Sequence, residues 1–347
     1  MNKKIENRSQ LNPLREVWIG GVYPENFYSH YDHRTQDIFG KLTETTIEDF
    51  NNLEKIISNL GVSVIRPKFQ NDVSLYMDEH DNLIKPPVSP CDWVITVDDT
   101  LYISPQYQSG IEPYQHAIDE YIAHGQKVKI LDRSLPEPMS WVTFPSVIRL
   151  GRDILIDYDP NIPESKKYSM IVAEELAKSH RVHLSNTADH NDGVFCPLKP
   201  REIFSTHYRS TYNTSFPNWN VFWLPEPKFN GHALNWWVPG KNYAHFNNEV
   251  VKVASSWLGN PHETVFEVNM LVIDEHNVVC AGQDDNAFRH FEKLGITPHV
   301  VDFKTCYFWD AGIHCVSSDV YREGPMPDYW PTRGANGIYH ITDWDNI

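Results

Sequence analysis

The chain has no run of about 18 apolar residues, which removes a membrane-spanning helix from consideration. It has no CxxC pair: its five cysteines, Cys91, Cys196, Cys280, Cys306 and Cys315, are odd in number and widely spaced. That pattern suits neither a zinc ribbon nor a disulfide framework, and they are read as reduced thiols. No Gly/Ser-rich or low-complexity stretch marks a flexible linker, and the 24 prolines are scattered. No Walker loop or Rossmann glycine pattern is present, so phosphate-cradling chemistry has no motif to rest on. The 30 Lys and Arg do not cluster, and with a formal charge of -16 the chain offers no basic face to nucleic acid. The start, Met1 to Arg8, is basic but continues into polar residues and not an apolar stretch, unlike a secretory signal. The expectation is a cytoplasmic protein, in which Asn7-Arg8-Ser9 and Asn213-Thr214-Ser215 are chance matches to the glycosylation pattern.

What is present is a globular composition, 41% hydrophobic and 13% aromatic over 347 residues, enough for one large core or two ordinary ones. With no visible linker, a single domain over 1–347 is expected. Apolar strands are predicted at Leu14 to Ile19, Trp93 to Val97 with Leu101 to Ile103, and Val147 to Leu150 with Ile154 to Tyr158. Others fall at Glu202 to Thr206, Val268 to Ile273 with Val278 to Ala281, and Ile313 to Tyr321. Two of the pairs read as hairpins whose turns are built from Asp, Asn and Thr. Helical periodicity covers Thr45 to Leu60, Tyr114 to His124, Tyr168 to Ser179 and Asp285 to Leu294. Residues 207–260, rich in Trp and Asn and poor in periodicity, read as an elaborated loop region over a site or an interface.

Chemistry enters with Gly312-Ile313-His314-Cys315. A cysteine used as a nucleophile needs a proton carrier elsewhere in the fold, and His190 with Asp192 two positions on offers one. Each residue also has a plainer reading. A lone cysteine is usually a small buried hydrophobe, and Asp189 to Gly193 can be a polar turn. His30 with His33, and His180 with His183, lack a third ligand, so no metal is expected.

Five segments change the balance. Cys91-Asp92-Trp93 before a hairpin, Arg149-Leu150-Gly151-Arg152-Asp153-Ile154, His190-Asn191-Asp192, Phe291 to Thr297, and Gly312-Ile313-His314-Cys315 before Asp319-Val320 occur in this order. Together they resemble the arginine:glycine amidinotransferases and their bacterial relatives, in the guanidine-modifying, or pentein, superfamily. The resemblance runs from about Asn12 to Gly324 and leaves 325–347 as a tail. It implies an α/β fold, a fivefold pseudo-symmetric propeller of ββαβ units around a polar centre. It also implies Cys315 as nucleophile, His190 as acid/base, Asp92 and Asp192 as a clamp on the donor's guanidinium, and Arg209 as a partner for the donor's carboxylate. No cofactor is implied; the ligands are a small guanidine donor and an amine acceptor, and a homodimer is left open.

One position departs from the pattern. Where the family carries an acid paired with its histidine, gap-free alignment puts Thr143, and a second family Asp is replaced by Ser146. No carboxylate lies between Glu137 and Asp153. Asp189, Glu137 or Asp132 supplies the contact from elsewhere, or donor and acceptor differ from the usual pair, or the activity is lost. Three functions stay open: amidino transfer, in a specialised biosynthetic route, hydrolysis of a guanidine by the same fold, and guanidine or amine binding without turnover. The two carboxylates are expected to raise the pKa of the Cys315 thiol, and a bound guanidinium to offset them.

Overall fold

The apolar hairpins of the sequence turn out to be the first strands of sheets of three or four strands. The computed structural model describes residues 3–78, 80–104, 111–130, 144–158, 163–185, 191–193, 195–206, 216–224, 257, 268–282 and 284–340. In chain order the elements are β1 (Leu14–Ile19), α1 (His33–Asn59), β2 (Ser63–Ile65), β3 (Val94–Val97), β4 (Thr100–Ile103), α2 (Gln115–Ala123) and β5 (Lys127–Ile130). They continue with β6 (Val147–Leu150), β7 (Asp153–Asp157), α3 (Pro163–Leu176), β8 (Arg181–Ser185), β9 (Phe195–Lys199), β10 (Glu202–Ser205) and β11 (Asn220–Trp223). The last are β12 (Leu271–Asp274), β13 (Asn277–Cys280), α4 (Asp285–Leu294), β14 (Thr297–Val300), α5 (Cys306–Trp309), β15 (Ser317–Arg322) and β16 (Gly337–His340). None of the described helices is long and apolar enough to cross a membrane.

The strands form five sheets that share one plan. An antiparallel pair is extended by a third strand parallel to its second member: β3-β4-β5, β6-β7-β8, β9-β10-β11 and β12-β13-β14. The remaining sheet joins the two ends of the chain, since β15 pairs antiparallel with β1, which pairs parallel with β2. A parallel neighbour needs a crossover, and helices α1, α2, α3 and α4 supply it in four of the units.

The sequence reading finds the hairpin strands except β9 and misses all five of the third ones. The reason is visible in β5, whose Lys-Val-Lys-Ile alternation is too short to stand out and whose Lys127, Lys129 and Ile130 are exposed, so no apolar run marks it. Helix α1 begins at His33, well before the expected Thr45, because the Asp32 side chain accepts from the backbone N–H groups of Arg34 and Thr35 and caps it. Its inner face buries Phe39, Leu42, Phe50, Leu53 and Ile57, each contributing roughly 1.5–3 kcal/mol on transfer from water. Asp284 caps α4 in the same way, and Gly295 ends it at φ 69°.

Two buried ionic networks tie the sheets together. Arg149 on β6 donates to Asp319 on β15 and to the Thr96 carbonyl on β3. Arg322 donates to Asp319, to the Asn12 carbonyl and to the Val272 carbonyl on β12. Burial would raise the pKa of Asp319, but the two guanidiniums outweigh it and hold the carboxyl well below the usual range. The second network involves residues 325–340, expected only as a tail. Strand β16 pairs parallel with β8, Arg152 donates its N–H to the Pro327 carbonyl at 2.9 Å, and buried Arg181 bridges Asp153 and Asp328. Gly151 permits this docking: at φ 65° it has no Cβ where one would lie 2.0 Å from the Pro327 carbonyl oxygen.

Candidate active site

Four sheets are entered through a short irregular segment just before their first strand, and a turn precedes β15 in the fifth. Residues Pro90–Asp92 precede β3, Phe144–Ser146 precede β6 and Asn191–Gly193 precede β9, each as a 3₁₀ turn. Residues 268–270 precede β12. The turn at 313–316 precedes β15, so the expected strand from Ile313 starts only at Ser317. The cause is Asn269, whose backbone carbonyl accepts the N–H of Ile313 at 3.1 Å and of His314 at 3.4 Å. Its side-chain Oδ1 accepts the N–H of Cys315 at 3.0 Å. With these donors taken, Ile313 to Cys315 have none left for a ladder.

The entry segments touch in order. Turn 90–92 meets turn 144–146, which meets turn 191–193, where the Asn191 side chain donates to the Ser146 carbonyl at 2.8 Å. Asn269 donates through Nδ2 to Asp192 Oδ2 and to Cys315 Sγ, both at 3.0 Å. Strand β15 then lies against turn 90–92. Asp92, Ser146, Asp192, Asn269 and Cys315 thus occupy corresponding places in the five units. Gly312 is required at this crossing, because a Cβ there would stand 2.5 Å from Asn269 Cβ and Oδ1.

Asp192 is the electrostatic centre. Its Oδ2 accepts from His314 Nδ1 at 2.9 Å, from Asn269 Nδ2 at 3.0 Å and from Cys315 Sγ at 3.4 Å. A carboxylate only accepts, so the His314 hydrogen sits on Nδ1. Cys91, whose Sγ donates to Asp92 Oδ1 at 3.6 Å, hydrogen-bonds the Cys315 thiol as well. That bond pulls the Cys315 pKa down, but burial and the charges of Asp192 and Asp92 outweigh it and push the thiol up to about 11. Burial likewise pushes the Cys91 thiol well above the usual thiol range. The site as it stands therefore holds neutral thiols beside two carboxylates, an arrangement that calls for a cation. Below it a cavity of about 20 Å³, close to one water in size, reaches from Asp192 and His314 to Asp319 and Arg322.

Of the residues expected here, Asp92, Asp192, Ser146 and Cys315 converge. His190, Thr143 and Arg209 lie outside the described residues. Cys91, Asn269 and His314 were not expected. Cys91 and His314 flank named residues and carried no signal of their own. Asn269 is the one polar residue in the apolar run Val268 to Ile273, a hint that periodicity alone cannot turn into a role.

No family model matches the chain. It is 24% identical over 192 residues to a glycine amidinotransferase, mitochondrial, of Xenopus laevis, and 25% over 193 residues to that of Gallus gallus. In both cases the match takes in 53% of this chain and 39% of the relative's length. Among solved structures it is similar to StrB1, an inosamine-phosphate amidinotransferase from Streptomyces griseus, with a TM-score of 0.69 at 18% identity. It is similar also to SxtG, an amidinotransferase from Microseira wollei in the saxitoxin biosynthetic pathway, with 0.68 at 17%. Both alignments cover 94% of this chain and 99% of the other. The chain has the α/β fold of these amidinotransferases. A more distant likeness, TM-score 0.55 at 12% identity over 88% of this chain and 99% of the other, is to a dimethylarginine dimethylaminohydrolase solved as an adduct with S-methyl-L-thiocitrulline.

Proposed function

We propose that the protein is an enzyme that moves an amidino group from arginine, or a similar small guanidine, to an amine acceptor through an amidino-Cys315 intermediate. The observation that carries this is the buried meeting of Cys315 Sγ with Asp192 and Asn269, beside Asp92. The guanidinium is the cation such a site calls for: its planar fork presents paired N–H donors that two carboxylates accept, which holds the central carbon for attack. Its positive charge offsets Asp92 and Asp192 and lowers the cost of forming the thiolate.

The thiol proton passes to His190, and the Cys315 sulfur adds to the guanidinium carbon. The C–N bond to the departing amine then breaks as that nitrogen receives the proton from His190. An S-amidino cysteine remains. The acceptor amine adds to the same carbon, His190 takes its proton, and the C–S bond breaks to return the thiolate. Asn269 Nδ2, 3.0 Å from Sγ, donates to the sulfur while it carries charge. Arg209 is assigned to the donor's carboxylate. The corresponding placement of the five entry segments and their cyclic contacts support a fivefold propeller around this centre.

The likeness to a dimethylarginine dimethylaminohydrolase favours a second reading, in which water discharges the intermediate. Intact-mass measurement after incubation with isotope-labelled arginine tests both. An amidino adduct is expected on the wild type and none on Cys315→Ala. Discharge only by an added amine marks a transferase, and discharge by water a hydrolase. The absence of an adduct across a panel of guanidines refutes both and leaves a binding protein, in keeping with Thr143 in place of the usual acid.

A further inference from the structure

We propose that Cys91 is a second catalytic thiol of this centre: it keeps its own proton and, once a guanidinium occupies Asp92, turns its S–H onto the Cys315 sulfur and stabilises the attacking thiolate. This rests on the amidino-transfer reading above and adds a residue to it. The two thiols come from different sheet entries, Cys91 from the turn before β3 and Cys315 from the turn before β15. Both are buried, 5% and 7% exposed, and a hydrogen bond joins their sulfurs. Cys91 Sγ lies within 4.8 Å of an Asp192 oxygen and a His314 ring nitrogen, and Cys315 Sγ is 3.4 Å from Asp192 Oδ2, so the two side chains face one point. Residues more than 200 positions apart meet only because the fold closes, and no CxxC motif announces the pair.

The single hydrogen on Cys91 has two acceptors within reach. In the empty site Asp92 Oδ1 accepts it at 3.6 Å, while Cys315 gives its own hydrogen to Asp192 Oδ2 at 3.4 Å. Thiols are weak donors, and the charge-assisted N–H groups of a guanidinium displace them from both carboxylates. The Cys315 proton then passes to His190, and the Cys91 hydrogen rotates about its Cβ–Sγ bond to the Cys315 sulfur, which as an anion is the better acceptor. No bond to Cys91 forms or breaks, so the proton balance of the reaction is unchanged. Which thiol ionises follows from the surroundings. Asn269 Nδ2 donates to Cys315 Sγ at 3.0 Å, whereas burial and the bond to Cys315 hold Cys91 protonated. The thiolate thus has two donors aimed at it, one N–H and one S–H, before the carbon arrives.

Two rates measured on the full chain test this, and only one of them needs the amidino reaction. Single-turnover adduct formation at saturating labelled arginine is expected to fall at least about tenfold in Cys91→Ala. In Cys91→Ser, whose O–H replaces the donor, it is expected to return to within about threefold of wild type. Alkylation of Cys315 by iodoacetamide in the empty enzyme, located by peptide mass mapping, is expected to fall in the same order but only about threefold in Cys91→Ala, because Asp92 there competes for the hydrogen. Cys91→Val fills the volume without a donor, behaves as Cys91→Ala, and replaces it if the alanine variant does not fold. Equal rates in wild type and Cys91→Ala overturn the proposal. A Cys91→Ser as slow as Cys91→Ala overturns it too, and marks Cys91 as packing. A loss in alkylation as large as the loss in adduct formation refutes the handover from Asp92. If the wild type forms no adduct, the amidino-transfer reading falls, and the order of the alkylation rates alone decides whether Cys91 supports the thiolate.

Discussion

At Cys315 two opposing effects meet, and their balance sets what the thiol does before substrate arrives. The hydrogen bond from Cys91 favours the thiolate, whereas burial and the charges of Asp192 and Asp92 disfavour it, and the pKa lies at about 11. The thiolate fraction at neutral pH is thus small and rises about tenfold per pH unit until the pH nears the pKa. The ultraviolet thiolate absorbance of wild type minus Cys315→Ala should follow this curve, and a saturating guanidinium ligand should move its midpoint down. An unmoved midpoint counts against the two-carboxylate clamp. Asn269 is the second decisive residue. Asn269→Ala removes both the donor to sulfur and the acceptor for the Cys315 N–H, and the rate of adduct formation in a single turnover should fall on the order of 10²-fold with the circular dichroism unchanged. A rate within a factor of two of wild type would remove Asn269 from the machinery.

At the scale of elements, the polar links between sheets are as informative as the sheets. Asp319→Asn leaves Arg149 and Arg322 buried opposite a neutral amide and should cost about 3–5 kcal/mol in urea denaturation. The sign with pH follows from the depressed carboxyl. Its contribution is complete above the ordinary carboxylate pKa and is lost as pH falls through that value towards the lower one of the folded state. Acid should therefore destabilise the wild type more steeply than Asp319→Asn; parallel pH profiles refute the assignment. The segment after β15 makes a similar case through packing. Trp330 is buried and stacks on Trp219 with centroids 5.1 Å apart, beside Phe216 at 6.0 Å. Trp330→Ala should lose about 3–5 kcal/mol, and a loss below 1 kcal/mol would show this docking to be marginal.

Across the whole molecule, the first strand β1 lies between β15 from near the far end of the chain and β2. Residues 6–9 add backbone bridges to Tyr321, Asp98 and Leu150. No sheet among the described residues stands apart, because the Arg149–Asp319–Arg322 network joins four of them and the Asn191 and Asn269 contacts join the rest. Unfolding in denaturant should therefore be cooperative, with tryptophan fluorescence and far-ultraviolet circular dichroism giving coincident midpoints. Two separated transitions would mean that some units unfold independently.

Local patterning, read from the sequence alone, determined the hairpins other than the β9 strand, the apolar faces of the helices and the chemistry-bearing pairs Cys91-Asp92, Asn191-Asp192 and His314-Cys315. These are short-range properties, set by periodicity and residue type within a few positions. The third strands, the docking of 325–340 and the roles of Asn269, His314 and Cys91 were decided by tertiary structure. None of these has a local signature, since a half-exposed parallel strand is held by its neighbour's backbone. An asparagine becomes a brace for a thiol only when residues 46 positions apart in the chain are brought within 3.0 Å.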